Sequence, residues 1–213
     1  MKIAILLYDQ MTALDAIGPY EVLAQVPGNE VSFVGLERGV VRTDTRALGL
    51  TVDRSLDEVS AADVVLVPGG PGDRIVRETP RALDWLRRIH ETTTWTTSVC
   101  TGALILAAAG LLRGKRATTH WAQLDELRAL GASPVSERVV FDGKLVTAAG
   151  VSAGIDMALT LLARVAGDDA AKTIQLAIEY DPAPPFDVGS PAKAPPHLVT
   201  ALRAVFANLA PRP

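Results

Sequence analysis

Short apolar runs alternate with stretches of helical period along this chain, a pattern that predicts an α/β sandwich around a mostly parallel central sheet. Residues 2–7 read as a buried strand, apolar from Ile3 to Leu7. Residues 15–26 follow as a helix that Gly18-Pro19 should interrupt, because proline removes a backbone donor and its ring crowds the preceding turn. A second strand is expected over 31–37, and the alternating segment 40–53 predicts a small edge hairpin. Asp63-Val64-Val65-Leu66-Val67-Pro68 reads as a central strand ending in Gly69-Gly70-Pro71-Gly72. Helix 79–91, strand 95–99, helix 101–109, strand 117–119 and helix 122–130 continue the alternation. Residues 139–147 fold back through Asp142-Gly143 as a hairpin. Two helices, 152–166 and 168–179, are separated by Gly167, with Asp168 as the N-cap of the second.

Residues 181–196 break this pattern. They hold six of the 14 prolines and show little periodicity, so they read as an ordered but irregular arm before a short helix at about 197–208. No repeat or low-complexity tract is visible, and residues 1–213 are expected to form one domain. With 48% hydrophobic and 21% charged residues, the chain is globular rather than disordered. A net charge of −3 with mixed signs offers no basic surface for nucleic acid or anionic lipid. The N-terminal apolar run is too short for a signal peptide, and no stretch approaches the roughly 18 apolar residues of a membrane span. One cysteine makes no internal disulfide and fits a reducing compartment, so a cytoplasmic protein is expected.

That cysteine, Cys100, falls where strand 95–99 meets helix 101–109 with no connecting residue to spare. It must occupy a sharp turn with its sulfur near the helix N-terminus, whose partial positive charge favours thiolate over thiol. Gly102 and Ala103 let the helix pack close to the strand, as in the nucleophile elbow of hydrolases. The alternative is a buried structural cysteine, since free cysteine is among the most buried residue types.

Ligands of a parallel α/β sheet gather at the carboxyl ends of its strands. The loop after the first strand brings Asp15 to that edge, either as a helix N-cap or as a carboxyl group hydrogen-bonded to the sulfur. Beside a thiolate a buried carboxyl should hold its proton, and it could then serve as acid and later as base. Gly69-Gly70 either end their strand or present backbone N–H groups to a ligand. The turn Ala148-Ala149-Gly150-Val151-Ser152 reaches the same edge. His120 can approach the site or be a hydrogen-bonded structural histidine, whereas His90 and His197 are expected to face solvent. No metal-ligand spacing, P-loop or dinucleotide fingerprint is present, so neither a metal nor another cofactor is expected.

Strand–Cys100–helix, Val67-Pro68-Gly69-Gly70 and an acidic residue after the first strand together resemble the ThiJ/PfpI superfamily, of the flavodoxin-like, class I glutamine-amidotransferase-like fold. Many members carry glutamate where this chain has Asp15, and many place histidine directly after the cysteine, where this chain has Thr101. The segments 8–19, 98–103, 117–121 and 178–187 are most similar to the isocyanide hydratase branch. That resemblance implies a homodimer that converts a small-molecule isocyanide to an N-substituted formamide. It maps the nucleophile to Cys100, the acid/base carboxyl to Asp15 and a supporting hydroxyl to Thr101. An apolar substrate needs an apolar pocket, for which Trp121, Val151 and Ile155 are candidates, the alternative for each being plain core. Other readings are a different thiol enzyme of the superfamily, acting on glyoxals or small amides, and a non-catalytic redox or ligand sensor.

Overall fold

In the computed structural model, which describes residues 1–207, the continuous apolar runs become the inner strands of one sheet. The strands are β1 (Lys2–Leu6), β2 (Glu30–Gly35), β3 (Gly39–Arg42), β4 (Gly49–Val52), β5 (Arg54–Ser55), β6 (Val64–Val67), β7 (Trp95–Val99), β8 (Arg116–Ala117), β9 (Ser133–Pro134), β10 (Val139–Asp142) and β11 (Leu145–Ala148). The helices are α1 (Ala13–Leu23), α2 (Asp73–Arg77), α3 (Pro80–Thr92), α4 (Gly102–Ala108), α5 (Leu124–Ala129), α6 (Ala153–Ala166), α7 (Asp168–Ala177) and α8 (Pro196–Ala207).

The sheet runs β10-β11-β7-β6-β1-β2-β5, and only β10 is antiparallel to its neighbour. With the two-residue β5 set aside, its parallel strands stand in the order 2-1-3-4-5, which reverses between β1 and β6. This is the flavodoxin-like order, and its reversal opens a crevice at the carboxyl ends of those two strands. Every residue of β6 is buried, with Val64 beside Ile3 of β1 and Trp95 of β7. Helix α3 shows how the flanking layers attach: Ala82, Trp85, Leu86 and Ile89 face the core at helical spacing, and Trp85 Nε1 donates to Val59 O at 2.8 Å. Helix α1 packs on α6 and α6 on α7, while α2, α3 and α4 pack together.

Several expected elements differ in detail. Helix α1 starts at Ala13 and runs unbroken through Gly18-Pro19 to Leu23. Pro19 forfeits the bond to the Asp15 carbonyl, but Gly18 and Pro19 are buried against Ile155 and Gly154 of α6, and that packing sustains the helix. Gly167, at φ +90°, caps α7 in place of Asp168, which is already helical; side chains rarely adopt that backbone conformation. The strand expected at 117–119 shrinks to β8, paired with β9, and the helix at 122–130 begins with a 3₁₀ turn at Trp121–Gln123. The edge hairpin is β3–β4, a separate two-stranded sheet. His90 is half-buried rather than solvent-facing, because its Nδ1 lies 2.8 Å from the hydroxyl of the buried Thr96 on β7. His197 is exposed. The stretch 181–195 has no regular element and is largely exposed, with Lys193 paired to Asp187 at 2.6 Å. Residue 208, the expected end of the last helix, lies outside the described residues.

Candidate active site

Cys100 ends β7 at φ +56°, a left-handed conformation uncommon for a residue with a side chain. Its N–H donates to the carbonyls of Ala148 and Ala149, at 3.1 and 2.9 Å, and its carbonyl accepts from Thr119 Oγ1 at 2.8 Å. The turn is therefore pinned on both sides. A Cβ on Gly102 would lie 2.0 Å from Val67 O, so the start of α4 can sit against β6 only with glycine there. The sulfur is buried and accepts hydrogen bonds from the N–H groups of Thr101 and Val151. Val151 itself sits at φ +34°, an outlier for a β-branched residue.

Asp15 projects from the first turn of α1 into the crevice at the strand-order reversal and is fully buried. Thr12 occupies the N-cap, so Asp15 is not the cap. Its Oδ2 accepts from the N–H of Gly69, at the end of β6, at 2.9 Å. Burial raises its pKa from 3.8 to about 7, against the pull of hydrogen bonds from Gly69 and the Cys100 thiol. A carboxyl that holds its proton near neutrality was expected. The thiol is the correction: burial and the Asp15 carboxylate push its pKa well above the ordinary value, outweighing the Thr101 and Val151 N–H donors. The helix N-terminus does not prevail, because α4 is only seven residues long and the sulfur beneath it is buried.

Thr101 Oγ1 accepts from Gly70 N–H at 2.9 Å and hydrogen-bonds to Asp73 at the start of α2. The N–H groups of Gly69 and Gly70 are thus committed to Asp15 and Thr101 rather than facing a ligand, although Gly70 still lines the cavity above the sulfur. Asp73 is buried, which lifts its pKa to about 6 despite the neighbouring Arg77 guanidinium. Arg77 in turn bonds Glu126 at 2.7 Å and lies 3.4 Å from Asp73. This chain of charged groups escaped the sequence, because the five-residue α2 has no period to reveal it.

The cavity over Cys100 measures about 170 Å³. Thr101, Val151, Asp73, Arg77 and Glu126 line it, as do His120 and Phe206, whose ring centroids are 4.4 Å apart. His120 is both structural and site-facing: its Nδ1 accepts from Ala122 N–H at 3.3 Å, which leaves the proton on Nε2. Burial lowers its pKa to about 4, so it is neutral near pH 7. Trp121 does not reach this cavity but lines a second one behind His120, and Ile155 packs on α1 instead.

A direct consequence concerns alkylation. In the wild type, modification of Cys100 by iodoacetamide should have a pH midpoint above the ~8.5 of a free thiol. In Asp15→Asn the midpoint should fall, because the anion beside the sulfur is gone. An unchanged midpoint in the variant would disprove the coupling.

The fold and site define a doubly wound α/β protein with a cysteine–carboxyl pair at the strand-order reversal. Residues 1–164 match the model of the DJ-1/PfpI family, and the chain belongs to that family. It is similar to the isonitrile hydratase of Pseudomonas putida, with 47% identity over 203 residues, covering 95% of this chain and 89% of that protein. A deglycase of Pyrococcus abyssi is 32% identical over 149 residues, covering 69% of this chain and 89% of the relative. Among solved structures, a ThiJ/PfpI family protein from Pseudomonas syringae superposes with a TM-score of 0.94 at 35% identity, covering 98% of this chain and 86% of that one.

Proposed function

We propose that the protein is an isocyanide hydratase, converting R–N≡C and water to the formamide R–NH–CHO. The observation that carries this reading is the buried Asp15 carboxyl, with a pKa raised to about 7, hydrogen-bonded to the Cys100 thiol. The likeness to the Pseudomonas putida isonitrile hydratase over nearly the whole chain selects the reaction. Above about pH 7 the pair carries one proton, which the addition consumes.

The isocyanide carbon has a lone pair and is a poor electrophile until protonated. Asp15 takes the S–H proton of Cys100 and delivers it to that carbon as the sulfur attacks the same atom. The C–S and C–H bonds form, and R–N=CH–S–Cys100, a covalent thioimidate, results. Water then adds to the thioimidate carbon, with Asp15 accepting a water proton and passing it to the nitrogen. The C–S bond breaks with its electron pair on sulfur, the hydroxyl proton returns to the sulfur through Asp15, and the formamide leaves. Thr101, fixed between Gly70 and Asp73, keeps the residue after the nucleophile neutral and its N–H aimed at the sulfur. Val151 supplies the second N–H to the sulfur and an apolar contact for R. A cavity of about 170 Å³ suits an R group on the scale of one six-membered ring, since roughly 150 Å³ of apolar cavity holds benzene. Incubation with cyclohexyl or phenyl isocyanide should yield the N-substituted formamide in many-fold excess over enzyme; no formamide above the buffer rate would overturn the reading.

The assembly is proposed to be a cytoplasmic homodimer without nucleic-acid or membrane partners. Among the described residues no helix is long and apolar enough to cross a membrane, and Cys100 is unpaired. Exposed Leu198, Leu202 and Val205 share one face of α8, and Phe186 projects from the arm at 73% exposure, so apolar surface is left for a second copy. Light scattering at micromolar concentration should give twice 22.5 kDa, and a monomer mass alone would contradict the dimer.

A further inference from the structure

The family match ends at residue 164, yet one wall of the cavity over Cys100 comes from beyond it. Phe206, on α8, stands with its ring centroid 4.4 Å from that of His120 and 6.2 Å from that of Trp121, edge-on to the latter at 82°. Three residues earlier, the Arg203 guanidinium lies 5.2 Å from the Trp121 ring, a cation–π contact that ties the same end of the helix to the same rings. The rest of the lining includes five charged residues, Asp44, Asp73, Arg74, Arg77 and Glu126, with Arg77 paired to Asp73 and Glu126. An apolar R group therefore finds its aromatic contact on the α8 side.

We propose that Phe206 is a specificity-determining residue: α8 carries it over the cysteine site, where with His120 it forms the aromatic wall that grips R and limits its size. The proposal rests on the hydratase reading. It makes α8 a substrate-selecting addition to a catalytic pair housed in the first 164 residues. Removing a ring from a pocket weakens binding by at least as much as the tenfold or more lost with a methylene, and it opens room for larger groups.

The test is steady-state kinetics of Phe206→Ala, Phe206→Leu and the exposed-site control Thr200→Ala with cyclohexyl and naphthyl isocyanides. For Phe206→Ala, KM for cyclohexyl isocyanide should rise about tenfold while kcat changes less. Its preference for naphthyl over cyclohexyl in kcat/KM should grow about tenfold. Phe206→Leu should recover part of the KM loss, and Thr200→Ala should match the wild type. Calorimetry with N-cyclohexylformamide, which needs no turnover, should show the same order of Kd values. If the wild type hydrates no isocyanide yet Phe206→Ala still weakens formamide binding, the hydratase reading fails and the wall stands. If KM ratios and Kd in Phe206→Ala stay within twofold of wild type, the wall is overturned.

Discussion

Cys100→Ala is expected to abolish isocyanide hydration to the buffer rate while the protein folds normally. The side chain lost is small, and alanine meets the same backbone constraint at φ +56° that cysteine does. The carbonyl and N–H that pin the turn to Thr119, Ala148 and Ala149 belong to the backbone and survive the substitution. Stability should therefore change by about 1 kcal/mol or less, whereas the covalent route disappears. Thermal unfolding and a formamide assay on the same preparation separate the two effects. Turnover at the wild-type rate by Cys100→Ala would remove the nucleophile from the account.

Asp15→Asn should also lose turnover, because an amide relays no proton, yet the variant should be more stable than the wild type at alkaline pH. The pKa of Asp15 is raised on folding from 3.8 to about 7, so the folded state binds this proton more tightly than the unfolded chain. Wild-type stability is thus undiminished by this group below about pH 4 and is lost progressively as pH climbs through about 7. Asparagine does not ionise and escapes that loss, which is about 4 kcal/mol. For a chain of this size the gain in Tm at pH 8, relative to any difference at pH 4, should be several degrees. An Asn variant with wild-type kcat would reduce Asp15 to a structural residue; equal Tm gains at both pH values would mean that the carboxyl is not held protonated by burial. Asp15→Glu should keep part of the activity, since the carboxyl remains.

The sheet was legible in the sequence because β1 and β6 at its centre carry apolar runs, as Val64–Val67 does, and β7 is rich in β-branched residues. The elbow was legible for a geometric reason: β7 and α4 leave only Cys100 and Thr101 between them, so the turn had to fall there. What the sequence misjudged was the electrostatics of the sulfur. A helix N-terminus and the reach of Asp15 can be read from a pattern, but the depth at which the sulfur is buried cannot. Likewise Gly69-Gly70 could be read as a strand end or as free backbone donors, and only the fold shows those donors spent on Asp15 and Thr101. Asp73 and Arg77 come from an element too short to carry a period, and Phe206 arrives from the far end of the chain after an aperiodic arm. Trp121, a candidate for the pocket or for plain core, lines a neighbouring cavity instead, a matter of side-chain direction that linear spacing does not encode.

The central claim is that the isocyanide carbon becomes bonded to Cys100 before water reaches it. Mixing excess protein with cyclohexyl isocyanide, quenching at successive times and mapping the mass of the Cys100 peptide tests this directly. A transient gain equal to the whole mass of the isocyanide is expected, because addition of S–H across the carbon expels nothing, followed by its decay as formamide appears. Formamide appearing at full rate with no such adduct on Cys100 at any time would contradict it.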